Sequence, residues 1–195
     1  MSDRIKRKPA ATSADKYVGI EIEFEMLLDY EQTLRDNLDR AGLRDFCELD
    51  WECLGSCWGW ELSILDTQAN YPETLNKVLA VMQDPVLGIT LSNACGLHVH
   101  LDARGLSANL MKQRMIGHIQ EMLSFCAAWR HNNHWCYGGD GMIPYRAGYQ
   151  TLEVRYMDAN LEFDRIHNYI QTLIRLAYTP IAVPTTQPET AAAVF

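Results

Sequence analysis

The chain has 195 residues, 48% of them hydrophobic, which suits one globular domain with a sizeable core. Its 17 basic residues against 25 acidic ones leave a net charge of -8, which argues against a nucleic-acid-binding surface. The one basic cluster, Arg4 to Lys8, leads into no apolar run, and no stretch approaches the ~18 apolar residues that span a membrane, so neither nucleic acid nor membrane is an expected partner and a cytoplasmic setting is expected.

In chain order, residues 1–16 read as a flexible basic N-terminus, 17–178 as the folded domain and 179–195 as a flexible tail carrying three of the seven prolines. Within the domain, "GIEIEFE" sets Glu21, Glu23 and Glu25 against Val18, Ile20, Ile22, Phe24 and Met26 with a period of two, the mark of a strand with one buried face over 17–28. Residues 31–41 place Leu34, Leu38 and Ala41 on one helical face before Gly42. A Trp-rich stretch ends in a second alternating run, 58–65, with Trp58, Trp60, Leu62 and Ile64 opposite Glu61. "YPETLNKVLAVMQ" puts Pro72 in the first turn of a helix with Leu75, Val78, Leu79 and Met82 at helical spacing. "CGLHVHLD", 95–102, alternates again and sets His98, His100 and Asp102 opposite Cys95, Leu97, Val99 and Leu101.

A long helix is expected from Ser107 to about His131, striped with Met and Leu, followed by a Gly- and Asn-rich loop. "YQTLEVRYM" then forms a strand with Glu153 and Arg155 opposite Leu152, Val154 and Tyr156, and 161–178 a final helix. Strands buried on both faces read as continuous apolar runs, whereas these alternate cleanly. The expected fold is therefore α+β, an antiparallel sheet of four to six strands with helices packed on one face.

If the strands share one sheet, their polar sides collect six carboxylates, Glu21, Glu23, Glu25, Glu61, Asp102 and Glu153, with two imidazoles, His98 and His100, and one guanidinium, Arg155. Carboxylates two residues apart on a strand lie roughly 6 to 7 Å from one another and repel. A face so short of positive charge suits hard cations, Mg²⁺ first and Mn²⁺ next, because zinc favours more His or Cys. Cations held this way clamp nucleotide phosphates, and a nearby arginine stabilises a phosphoryl group in flight.

The segments "GIEIEFE", "GWELS", "CGLHVHLD" and "LEVRYMDANL", in this order over residues 17–177, resemble the amidoligases, a branch of the glutamine synthetase and glutamate-cysteine ligase superfamily. The resemblance implies a glutamine synthetase catalytic-domain-like sheet whose polar face binds ATP and divalent metal. It makes Glu21, Glu23, Glu61 and Glu153 metal ligands, His98 a ligand or phosphate contact, His100 a contact to the nucleotide phosphates, and Arg155 the group facing the transferred phosphoryl. Arg155, Glu153 and His98 are then the catalytic residues. The implied reaction activates a small-molecule or peptide carboxylate with ATP and passes the acyl group to an amine; whether the chain forms a homo-oligomer is left open. Two other classes also remain open: a metal-dependent hydrolase using His98 and His100, and a non-catalytic nucleotide-binding relative.

Several residues carry secondary expectations. The loop 137–148 is a candidate lid, with Arg146 a candidate contact to a substrate carboxylate. Trp51, Trp58 and Trp60 read as core more readily than as an adenine stack. His131, His134 and Cys136 could form a zinc cluster but lack an evident fourth ligand. Glu25 is equally a metal-site neighbour or solvated, and Asp102 can instead fix the turn at "DARG". The six cysteines are expected to be free thiols.

Overall fold

The computed structural model describes residues 15–54, 57–132 and 142–179. Six strands form one sheet: β1 (Tyr17–Phe24), β2 (Cys47–Cys53), β3 (Trp58–Thr67), β4 (Gly96–Asp102), β5 (Tyr145–Arg146) and β6 (Thr151–Asp158). Their order is β2-β3-β1-β4-β6-β5, and every neighbouring pair is antiparallel. The first strand in sequence is thus central in space, paired with β3 on one side and β4 on the other.

The period-two pattern decides which face each strand buries. Val18, Ile20 and Ile22 of β1, Leu62 and Ile64 of β3, Leu97, Val99 and Leu101 of β4, and Leu152 and Val154 of β6 all enter one core. Against it pack α1 (Glu31–Arg40), α2 (Tyr71–Met82), α3 (Ala108–Ile116), α4 (Ile119–Leu123) and α5 (Phe163–Tyr178). The α+β class and the antiparallel sheet are as the alternation implied. No helix among the described residues is long and apolar enough to cross a membrane. Among the described residues, no disulfide joins any two of Cys47, Cys53, Cys57, Cys95 and Cys126.

Four expectations need correction. The strand read over 17–28 ends at Phe24: Glu25 makes only an isolated bridge to Thr90, and residues 28–30 turn into a 3₁₀ helix. The helix read over 107–131 is three pieces. Gly117 caps α3, and His118, at φ -120° and ψ 26°, leaves the helical region before α4 begins, which follows from the poor helix propensity of glycine. A 3₁₀ segment, Ala128–Asn132, comes after α4. Of the three tryptophans assigned to the core, only Trp60 is buried, its Nε1 donating to the Met26 carbonyl at 3.1 Å. Trp51 and Trp58 share its parity but lie where the sheet runs out towards its β2 edge, and they stack on each other in solvent with ring centroids 6.2 Å apart. Finally, "CELDWEC" forms a further strand, β2, at the edge of the sheet.

One irregularity bears on the site. The β4–β6 register shifts between Leu97, opposite Met157, and Val99, opposite Val154, so Arg155 and Tyr156 together face His98 alone. Such a bulge lets β6 bury both Tyr156 and Met157 and re-aims Arg155 relative to a regular strand.

Candidate functional site

The polar face is a grid set by register. Across β1, Glu21 stands between Ser63 and His98, and Glu23 is opposite Glu61; on β4 and β6, His100 is opposite Glu153. Directly opposed side chains lie close enough to interact. His98 is buried, with Nδ1 3.2 Å from Glu21 Oε2 and 3.7 Å from Glu153 Oε1, and Nε2 3.7 Å from Glu23 Oε1. His100 Nε2 lies 3.1 Å from Glu21 Oε1, without hydrogen-bond alignment, while Nδ1 meets Thr151 Oγ1 at 3.1 Å.

Among the described residues, two groups of donors lie close enough to hold a cation: Glu21, Glu61 and His98, and Glu21, His100 and Glu153, with the ligand atoms in each within 4.8 Å of one another. Each offers two carboxylates and one imidazole, a donor set that suits Mg²⁺ or Mn²⁺. Glu21 belongs to both. Burial would raise its carboxyl, but contacts with His100 and His98 outweigh burial and hold it well below the usual carboxylate range. Glu21 is therefore ionised at neutral pH, as a ligand must be.

The remaining candidates fall around this centre. Glu23 stands outside both groups but is fixed beside them: the Gly96 N–H donates to its Oε2 at 2.6 Å. Glu153 is buried and held by two arginines, Arg146 through a short Nε contact and Arg155 with Nε 3.4 Å from Oε1. Arg155 is partly exposed and borders the face. His100, assigned by resemblance to nucleotide phosphates, sits in the second donor group. Glu25 stands outside both groups and takes a hydrogen bond from Cys57 Sγ at 3.7 Å. Asp102 serves the turn: its Oδ1 accepts from the Arg104 N–H at 2.9 Å, and its carboxylate also pairs with the Arg104 guanidinium. Burial pushes the Asp102 carboxyl up, yet these bonds and the Tyr17 N–H hold it below its usual value.

Three features escaped the sequence. Strand β2 adds Glu48, Asp50 and Glu52 to the polar side, with Asp50 opposite Glu61; its alternation was legible from Cys47, Leu49, Trp51 and Cys53. The short strand β5 lies inside what the composition marked only as loop; it sets Arg146, the candidate contact to a substrate carboxylate, opposite Thr151 and against Glu153. Arg130, from the 3₁₀ segment, is buried near Gly96, and no pattern in the sequence marks it. Of the candidate lid, residues 137–141 lie outside the described residues, as do His134, Cys136 and the side chain of His131 of the candidate zinc cluster. A scan of family models and a search of curated proteins give no match to this chain, so the amidoligase resemblance rests on the four motifs themselves.

Proposed function

We propose that the chain is an ATP-dependent carboxylate-amine ligase of the amidoligase kind, built on a sheet like that of glutamine synthetase. The observation that carries this reading is the sharing of Glu21 by two cation-capable groups on the strands β3, β1, β4 and β6, with Arg155 and Arg146 at the Glu153 end. Glu21, Glu61, His98, His100 and Glu153 would hold Mg²⁺ or Mn²⁺, with Glu23 beside them. Bound there, such cations neutralise the phosphates of ATP and the charge that develops on the moving phosphoryl group.

In the reaction, a substrate carboxylate oxygen attacks the γ-phosphorus and ADP leaves; an amine then attacks the acyl carbon, the amide bond forms, and phosphate departs with the electron pair of the broken C–O bond and takes up the amine proton. No protein nucleophile is required. The chain positions reactants and offsets charge, the two effects that dominate catalysis of this type. Arg155, partly exposed beside Glu153, would meet phosphoryl oxygens. Glu153, held between Arg146 and Arg155, keeps those guanidinium groups directed at the site. His98, fixed by carboxylates from both neighbouring strands, keeps a single ring orientation. A cytoplasmic setting, where ATP and Mg²⁺ are plentiful, suits this reading.

The test is calorimetric titration of a nonhydrolysable ATP analogue at millimolar Mg²⁺, followed by ADP release across panels of acids and amines. Metal-dependent nucleotide binding, with ADP release stimulated by one acid and amine pair, is the expected result. Absence of nucleotide binding overturns it, and a tightly bound transition metal in that case favours the hydrolase. Nucleotide binding with no turnover on any pair favours a binding module.

A further inference from the structure

Arg130 is 4% exposed, and its guanidinium makes no ion pair with any described residue. Its Nη1 reaches the Cys95 carbonyl at 3.5 Å, the group lies over the Trp129 ring 5.6 Å from the centroid, and Nε has no hydrogen-bond partner among the described residues. A charge taken out of water is costly unless it is paired. One long carbonyl contact and one ring do not supply that pairing.

The direction of the unpaired edge is given by Gly96. A Cβ built on Gly96 would lie 2.7 Å from Arg130 Nη2, 3.0 Å from His98 Nε2 and 3.1 Å from Glu23 Oε2. Gly96 shares the parity of His98 and His100, so this point is on the polar face, and the absence of a side chain lets a guanidinium, an imidazole and a carboxylate close in on it. With Nη1 turned to Cys95, the Nε and Nη2 edge of Arg130 remains for a ligand. That edge is the fork that binds a carboxylate or phosphoryl group through two parallel N–H donors.

We propose that Arg130 is an oxyanion anchor of the site, binding a carboxylate or phosphoryl oxygen pair of the substrate at the Gly96 end of the polar face. The proposal deepens the ligase reading and relies on it only for the identity of that substrate. Arg155 and Arg146 lie at the Glu153 end, so the cation-capable groups stand between two guanidinium sites. The ligand is therefore gripped at both ends: a partly exposed arginine meets the moving phosphoryl, and a buried, preset one fixes a second anionic group. Preorganisation favours Arg130 for recognition, because burial has already cost its rotamer freedom before the ligand arrives.

The test measures binding of inorganic phosphate and of glutarate, separately, by calorimetry at millimolar Mg²⁺ without nucleotide. The dissociation constant for at least one anion is expected to rise about ten-fold or more in Arg130→Met, and less in Arg130→Lys, which keeps the charge without the fork. Gly96→Ala, whose methyl group would press on Nη2 and displace the guanidinium, is expected to weaken the same anion, while Arg44→Met, on the surface, leaves it unchanged. A phosphate effect identifies a phosphoryl ligand and a glutarate effect a carboxylate; either supports the anchor. Binding equal in wild type and Arg130→Met, or no binding of either anion to wild type, overturns it. Nucleotide binding is read in parallel: its absence alongside an Arg130-dependent anion removes the ligase and keeps the anchor, and its presence alongside Arg130-independent anions does the reverse.

Discussion

Glu21 and His98 are register partners on β1 and β4, and Glu21 Oε2 lies 3.2 Å from His98 Nδ1. On its other carboxylate oxygen Glu21 meets His100 at 3.1 Å, so one acid on the central strand serves both imidazoles of the next. The separated motifs "GIEIEFE" and "CGLHVHLD" become one site through this pairing.

Glu21→Gln keeps the shape of the side chain and removes the charge shared by both donor groups. Under the ligase reading, ADP release falls about 100-fold or more, because two cation sites lose a ligand together. Glu61→Gln, which touches only one group, is expected to cost less. Steady-state assays with Mg²⁺ titrations measure both, and a Glu21→Gln enzyme with wild-type turnover sinks the shared-ligand arrangement.

The tryptophans separate burial from parity. Trp60→Ala is expected to destabilise by about 3–5 kcal/mol, as a large buried side chain with a bonded N–H does. Trp58→Ala, 62% exposed, should cost about 1 kcal/mol or less. Urea denaturation of the two variants decides it; equal losses would contradict the difference in burial.

Gly59 sits where no side chain fits. A Cβ there would lie 2.4 Å from Leu54 Cδ1 and 2.7 Å from the Phe24 carbonyl oxygen, and the backbone atom belongs to the central strand. Gly59→Ala is predicted to destabilise by about 1–3 kcal/mol, the range for overpacking, because the β1–β3 pair must part to admit the methyl group. A melting temperature at or above that of wild type would count against this.

Cys47 gives a pH test away from the site. Burial pushes its thiol up to about 12, against about 8.5 in an unfolded chain. The folded state favours the neutral thiol, so this contribution is complete below the unfolded value and is lost as pH rises through that window toward about 12. Between about pH 8 and about pH 10, wild type should therefore lose more stability than Cys47→Ala. At the lower pH, the exposed Cys53 should alkylate well before Cys47. Equal labelling rates for the two thiols would refute the shift.

Alternation was enough to find β1, β3, β4 and β6 and to put Glu21, Glu61, His98, His100, Glu153 and Arg155 on polar sides, because a period of two is a local property of an extended backbone. It is equally present in β2, where Cys47, Leu49, Trp51 and Cys53 alternate with Glu48, Asp50 and Glu52. Helix α2 and its Pro72 start were also local, whereas the break at Gly117 required knowing that the Met-rich stripe need not come from one continuous helix.

What sequence by itself determined is therefore which side chains each element buries and which it offers. Tertiary structure alone decided which offers meet. Strand order makes Glu21 the neighbour of His98, a bulge re-aims Arg155, the short strand β5 carries Arg146 to Glu153, and a distant 3₁₀ turn brings Arg130 to Gly96. The physical reason is that periodicity is set by residues a few positions apart, while register and docking are set by packing the whole core, whose contacts join segments far apart in the chain.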